Sequence, residues 1–159
     1  MTLMNEIEWV EDAEFEAALT QLVGLDLREI VHEPEYGVLI FFFGELSQNH
    51  TADRLSLTPW GTWHLLYRAQ SVGGYIAGRD DDASLSSTVE RIANRVVKSV
   101  HFWAERAHIY LEFDNGYWLG LFNAEKYLGY EFLIQPAGVY EATTYKVRDS
   151  EITRSILMV

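Results

Sequence analysis

The side chains of this chain that could do chemistry are its histidines and its neighbouring carboxylates. The histidines are His32, His50, His64, His101 and His108. No two of them stand in an H-x-H or H-E-x-x-H spacing, which would bring two imidazoles onto one metal ion. The 159 residues include no cysteine, which excludes thiolate nucleophiles and cysteine-based metal sites. The spacing of the histidines therefore predicts no metal site.

Two sets of carboxylates are close enough in sequence to be considered for acid–base chemistry. They are Glu33 with Glu35, and the unbroken run of Asp80, Asp81 and Asp82. Catalytic carboxylates must face each other across a cleft at a defined separation, whereas these lie in a predicted turn and a predicted linker. Phosphate-binding glycine loops and the G-x-S-x-G motif are also missing from the sequence. We therefore expect no catalytic residue and no cofactor, and regard these five acids as candidates for binding a partner.

The composition restricts the class of partner. The formal net charge is −12, and nucleic-acid binding needs Lys and Arg to displace phosphate counterions, so a basic protein is favoured over nucleic acid. No stretch approaches the roughly 20 apolar residues that cross a bilayer. Residues 1–16 are acidic and lack the apolar core of a secretory signal. We expect a cytoplasmic protein that does not bind membranes.

The elements that would position these side chains follow an internal repeat. Residues 15–43 align without a gap on residues 85–113, and the apolar positions coincide. Gly24 meets Asn94, and these residue types most readily adopt the left-handed backbone that ends a helix. The sequence predicts an α+β fold: a tandem duplication of a helix plus antiparallel β-meander unit over residues 12–79 and 84–147, the two copies sharing one core. Residues 1–159 are expected to form a single compact domain, with 148–159 as a C-terminal tail or edge strand.

Capping patterns locate the predicted helices. The first is expected over residues 12–23 with Asp12 as its N-cap, because acids in the first turn favour the helix dipole. Ser87 and Glu90 have the spacing of a capping box, with Ser87 as the N-cap of the second helix.

A hairpin is predicted around Asp114-Asn115-Gly116. A three-residue loop with Gly116 in a left-handed conformation pairs Leu111 with Leu119 and places the apolar residues of both strands on one face. A two-residue loop would shift the register by one residue and mix the two faces. We therefore prefer the three-residue loop.

The predicted outward strand faces differ between the two copies. Val38, Ile40 and Phe42 make an apolar face in the first copy, which is either covered by another element or is an oligomer face through which a homodimer forms. The aligned residues of the second copy are His108, Tyr110 and Glu112, beside Trp118 and Phe122.

Tryptophans without an aromatic counterpart in the other copy are candidates for a surface role. Tryptophan and tyrosine are enriched at binding hot spots, and plain packing is the alternative. Together with the acids they form the predicted partner-binding set: Glu33, Glu35, Asp80, Asp81, Asp82, Trp60, Trp103, Trp118 and Tyr110. Trp63, in contrast, aligns with Tyr130 and is predicted to be core.

The small size, the negative charge and the strand–Asp-Asn-Gly–strand pattern of residues 109–122 resemble the small immunity proteins of bacterial toxin systems. The resemblance implies a non-enzymatic protein-binding inhibitor that neutralises a cognate toxin or enzyme by occluding its active site. The basic partner would then be a toxin domain. Two alternatives stay open. One is a small-ligand-binding module or an enzyme with a pocket between the repeats, lined by His64, Tyr110 and Glu112. The other is a homo-oligomeric structural adaptor that uses the apolar face of the first copy.

Overall fold

A computed structural model of the chain describes residues 7–33, 38–44, 53–75, 85–124, 128–149 and 151–158. Its helices are α1 (Asp12–Leu19), which continues as a 3-10 turn (Thr20–Leu22), and α2 (Leu85–Glu90). Its strands are β1 (Glu8–Trp9), β2 (Leu27–Glu33), β3 (Val38–Phe43), β4 (Arg54–Pro59), β5 (Trp63–Tyr67), β6 (Gln70–Tyr75), β7 (Val97–Trp103), β8 (His108–Phe113), β9 (Tyr117–Leu121), β10 (Tyr130–Gln135), β11 (Glu141–Arg148) and β12 (Glu151–Met158). No helix within these ranges is both long enough and apolar enough to cross a membrane.

The fold is β-rich, which corrects the predicted α+β class. The two helices have only 8 and 6 residues, whereas the strands form two antiparallel sheets. The first helix begins at Asp12 as expected, but both predicted N-caps are wrong. The N-cap of α1 is Glu11, whose backbone is extended and whose side chain makes no capping hydrogen bond. Because α2 already begins at Leu85, Ser87 lies inside the helix and is not its N-cap.

Each sheet is built from both halves of the chain. A seven-stranded sheet has the order β1-β12-β11-β10-β4-β3-β2, and a five-stranded sheet has the order β6-β5-β9-β8-β7. The halves join through the pairs β4–β10 and β5–β9 inside the sheets and through β1–β12 at the edge of the larger sheet. In the larger sheet, β2, β3 and β4 of the first half are extended by β10, β11 and β12 of the second half. In the smaller sheet, β7, β8 and β9 of the second half are extended by β5 and β6 of the first half. Neither sheet is complete without both halves.

The helix-to-strand connections of the two halves make matching hydrogen bonds. The Gly24 N–H donates to Val97 O and the Asn94 N–H donates to Leu27 O, both at 2.8 Å. The φ angles of Gly24 and Asn94 are +87° and +63°. The left-handed conformation predicted at these two residues is therefore confirmed, and it turns each chain segment toward the other half.

The two sheets meet where these connections run side by side. Asp26 and Val96 form an isolated antiparallel bridge at that point. The pairings β2–β3 and β7–β8 both shift register between the first and third residues of the leading strand, Leu27 to Glu29 and Val97 to Ser99. Corresponding strands of the two halves therefore have the same local irregularity, which decides which side chains face outward.

One hydrophobic core lies between the sheets. Trp63, which was predicted to be core, is 2% exposed, and the aligned Tyr130 is 1% exposed. From α1, the buried Phe15 ring lies 5.2 Å from the ring of Phe102 in the five-stranded sheet and 5.6 Å from that of Tyr145 in the seven-stranded sheet. A single aromatic side chain therefore holds α1 against both sheets.

The β8–β9 hairpin has the predicted register. Ile109 pairs with Leu121, and Leu111 pairs with Leu119. Gly116 adopts a φ of +86°, and all four paired residues are buried. The three-residue loop is confirmed, and its register leaves the polar and aromatic residues of both strands on the outward side.

Candidate functional site

The outward side of the five-stranded sheet carries a group of aromatic and imidazole rings. We call this surface the aromatic–histidine face; it consists of His64, His101, Trp103, His108, Tyr110, Trp118 and Phe122. Successive strand residues point to opposite sides of a sheet, and along β8 half-buried and buried residues alternate. The outward orientation predicted for His108, Tyr110 and Glu112 is confirmed.

Phe122 lies at the centre of the aromatic–histidine face. Its ring centroid lies 5.0 Å from that of His108, 5.5 Å from that of His64 and 5.8 Å from that of Tyr110. Trp103 extends the cluster by packing on His108 at 5.6 Å. All four ring pairs are edge-to-face, the arrangement that aromatic quadrupoles favour, so the rings support one another over several strands.

Gly120 makes room for these rings. It pairs with Tyr110 on one side and with His64 on the other. A Cβ atom at Gly120 would lie 3.0 Å from Cζ of Phe122 and 3.2 Å from Cε1 of Tyr110. Since only glycine lacks that atom, the two rings are able to lie across the strand.

A polar group crosses the same face at the Ser99–Glu112 pair. The Ser99 hydroxyl donates to Oε1 of Glu112 at 2.9 Å, and Ser99 Oγ lies 3.1 Å from Nε2 of His101. Because a hydroxyl has one proton, His101 acts as the donor to Ser99. In a nucleophilic serine–histidine pair the imidazole instead accepts the serine proton. This geometry therefore orients Glu112 and does not activate Ser99.

A second serine–histidine contact involves His64. Nδ1 of His64 lies 2.8 Å from Oγ of Ser71, whose hydroxyl donates to Gly73 O at 3.4 Å. Which of His64 and Ser71 donates in the 2.8 Å contact is set by the tautomer of His64. Burial lowers the pKa of His64 below its ordinary value, so this ring is neutral at pH 7. Burial also raises the pKa of Tyr110, which remains a phenol.

The structure brings three of the predicted partner-binding aromatics together. Trp103, Tyr110 and Trp118 all belong to the aromatic–histidine face, and Trp103 is 45% exposed. Trp60 is not part of this group: it lies in the turn between β4 and β5, where its backbone N–H donates to Gly129 O at 2.8 Å.

Most of the predicted partner-binding acids lie outside the described residues: Glu35, Asp80, Asp81 and Asp82. Glu33 is the last residue of β2 and pairs with Val38 at the start of β3. This position belongs to the seven-stranded sheet, so Glu33 is not part of the aromatic–histidine face.

The apolar face predicted for oligomerisation is partly covered within the monomer. Phe42 is 8% exposed, and the guanidinium carbon of Arg54 lies 4.8 Å from its ring centroid. Ile40 is half-buried. The area that Phe42 could offer to a second copy is therefore small.

Sequence reasoning missed Ser99 and His101 as members of the face. Strict alternation from the buried Val97 would turn Ser99 inward, but the register shift between these residues turns it outward. The apolar residues Val100 and Phe102 alternate with polar neighbours and were the available signal for this shift.

Within the described ranges, no three His, Asp or Glu side chains come together in a way that could hold a metal ion. Comparison with models of protein families, with curated proteins and with solved structures gives no match to this chain.

Proposed function

We propose that this protein is a non-enzymatic inhibitor of immunity type, which binds a basic toxin or enzyme and occludes its active site. The observation that carries the proposal is the grouping of Trp103, Tyr110 and Trp118 on one outward sheet face. Tryptophan and tyrosine provide large contact areas, and a few such residues supply most of the binding free energy at protein interfaces. The rings are already packed against one another, so little side-chain entropy would be lost on binding.

The charge of the chain supports a basic partner. At a formal net charge of −12, a positively charged protein would be steered toward this molecule, and the association rate would fall as salt is added. In the Ser99–His101 contact the serine is the acceptor from the imidazole, which favours a binding role for the face.

The test is affinity capture from the native host with the full-length protein, followed by purification of the captured protein and an assay of its activity. We expect a basic partner whose activity falls on adding this chain. Trp103→Ala and Trp118→Ala should each weaken binding by roughly thirtyfold, the size of a hot-spot loss of about 2 kcal/mol. Trp9→Ala is the matched control, because Trp9 is 69% exposed on β1 of the other sheet.

Two results would count against the proposal. If the face variants and the control bind equally well, the aromatic–histidine face is not the interface. If no protein is captured at any salt concentration, the inhibitor role loses its support. A homodimer by size-exclusion chromatography would instead favour the adaptor alternative.

A small-ligand module is the second candidate, because His64 and Tyr110 lie on the strands that flank Gly120. It would require a small molecule that binds the purified chain and whose binding is lost in the Tyr110→Phe variant.

We also infer that the chain arose by tandem duplication and that it acts in the cytoplasm. The matching hydrogen bonds and register shifts seventy residues apart support the duplication. The absence of cysteine from the sequence agrees with a reducing compartment.

A further inference from the structure

Glu112 is a half-buried carboxylate that forms no ion pair within the described part of the chain. Its hydrogen bond there is the one accepted at Oε1 from Ser99, at 2.9 Å. None of the ion pairs among the described residues includes it. A carboxylate that is partly removed from water is stabilised by a cation beside it. A cation supplied by another molecule would therefore be stabilised at this site.

A comparable carboxylate in the other sheet already has cations of its own. Glu131 lies on the outward side of β10 and is also half-buried. Its Oε1 lies 3.7 Å from Nζ of Lys146 and 3.9 Å from a guanidinium nitrogen of Arg148. Arg154 likewise pairs with both Glu8 and Glu14. The chain therefore pairs several of its outward carboxylates, and Glu112 differs from them.

The side chains around Glu112 favour a flat cation. Trp118 is directly opposite Glu112 on β9, and Tyr110 is two residues away on the same side of β8. The His101 ring lies 5.3 Å from the Trp118 ring at an interplanar angle of 39°. A guanidinium can stack on such rings while donating two hydrogen bonds to a carboxylate, whereas an ammonium cannot make both contacts in this way.

The corresponding position of the seven-stranded sheet already holds a guanidinium. Phe42 precedes Glu112 by seventy residues and occupies the same place in its hairpin, opposite Glu29 as Glu112 is opposite Ser99. Arg54 of the same chain covers the Phe42 ring at 4.8 Å. The sheet geometry at this position therefore accommodates an arginine head group lying on the outward face.

We propose that Glu112, Trp118 and Tyr110 form an anchor site for a single arginine side chain of the partner protein. The anchor rests on the proposed function, since it names the residue type that the inhibited protein must present. The guanidinium lies on the Trp118 and Tyr110 rings and donates to the Glu112 carboxylate, while Ser99 holds that carboxylate in place.

The anchor can be tested without the partner. The full-length protein, labelled with nitrogen-15, is titrated with Nα-acetyl-arginine methylamide and followed by NMR. We expect saturable shifts at the Trp118 indole N–H and the backbone of Glu112, with a Kd in the millimolar range (about −4 kcal/mol). Nα-acetyl-lysine methylamide should bind several-fold more weakly. Shifts that are scattered over the surface, or equal for the two probes, would overturn the proposal.

Glu112→Gln is the decisive variant, because its amide keeps the shape and still accepts from Ser99. This variant should weaken binding of the arginine probe about tenfold, the effect of losing a charge-assisted hydrogen bond. Glu131→Gln changes the net charge equally and should leave the Kd unchanged, because that carboxylate is already paired. If Glu112→Gln binds the probe as tightly as the parent, the anchor is wrong.

The captured partner separates this proposal from the inhibitor role. Loss of capture in Glu112→Gln but not in Glu131→Gln supports the anchor. Capture that depends on Trp103 but not on Glu112 overturns the anchor and leaves the inhibitor role standing. Specific probe binding with no protein captured supports the arginine site and removes the inhibitor role.

Discussion

The hydrogen bond from Tyr130 to Ala107 joins the two sheets, and its removal should weaken the whole fold. Tyr130 is 1% exposed in β10 of the seven-stranded sheet. Its hydroxyl donates at 2.7 Å to the carbonyl of Ala107, in the turn between β7 and β8 of the five-stranded sheet. Burial holds the pKa of Tyr130 well above its ordinary value, so the phenol remains a donor at neutral pH.

Tyr130→Phe removes only the hydroxyl, so its effect can be estimated from one hydrogen bond. The ring stays, and no large cavity is created. A neutral hydrogen bond contributes a net free energy of about 1 kcal/mol, and a buried carbonyl left without its donor costs about 1–3 kcal/mol. We expect a loss of about 1–2 kcal/mol of unfolding free energy. With an m value near 2 kcal/mol per molar urea, the midpoint falls by about 0.5–1 M.

Urea unfolding followed by tryptophan fluorescence and by far-ultraviolet circular dichroism measures this change. Tyr117→Phe is the control, because Tyr117 is half-buried and stacks on Tyr67 with ring centroids 4.7 Å apart; we expect it to change stability by less than about 0.5 kcal/mol. If the two variants have the same midpoint, the buried hydroxyl does not stabilise the contact between the sheets, and the reasoning is refuted.

Three further predictions concern other parts of the molecule. Gly129→Ala should lose about 3 kcal/mol or more in the same urea assay, since its Cβ would lie 1.8 Å from Val147 O; a loss under 1 kcal/mol would contradict this packing. An NMR titration should give His64 a pKa below about 6.5, because burial disfavours its imidazolium. As the pH falls below about 6.5, the His64 imidazole is protonated in the unfolded chain before it is protonated in the folded protein, so the free energy of unfolding decreases. His64→Gln should flatten this dependence of stability on pH. Gly24→Asn should be tolerated as Asn94 is, at a cost below about 1 kcal/mol, whereas Gly24→Val should cost more because its φ of +87° excludes β-branched residues; equal stabilities would refute this.

Local patterns in the sequence were sufficient for the strands and for one hairpin. The strands Val38–Phe43 and His108–Phe113, whose outward faces were predicted from alternation, occur at those positions. The β8–β9 register follows from the need to put all apolar residues of a two-strand unit on one face. Such information lies within about fifteen residues, so the sequence is enough to determine it.

The exchange of strands between the halves could not be predicted in this way. A meander predicts that β5 pairs with β4, which precedes it by a three-residue turn. The structure instead pairs β5 with β9 and β4 with β10. Both arrangements bury the same apolar residues of each strand, so alternation does not distinguish them; the choice depends on how the two sheets close over a common core. The N-caps of the two helices were misplaced because capping residues report where a helix could begin, but not where packing makes it begin.

The candidate site was predictable on β8 and β9 but not on β7. Tyr110 and Trp118 follow the simple alternation of a hairpin, whereas Ser99 and His101 are turned outward by a register shift that is visible only in the pairing with β8. The network that orients Glu112 was therefore missed, although Glu112 itself was expected to face away from the core.

The core shared by both halves leaves the two outward sheet faces free to differ. Each inward residue packs in a core shared by both halves, so a change there disturbs both sheets. An outward residue is constrained only by its neighbours within one sheet. At corresponding positions one sheet has Phe42 covered by its own Arg54, and the other has Glu112 beside Trp118 with no cation of its own among the described residues. With the same backbone geometry, an arginine of the same chain covers the outward side chain in one sheet. In the other sheet, no ion pair among the described residues includes the outward carboxylate. A binding face can arise at such a position without any loss of core packing.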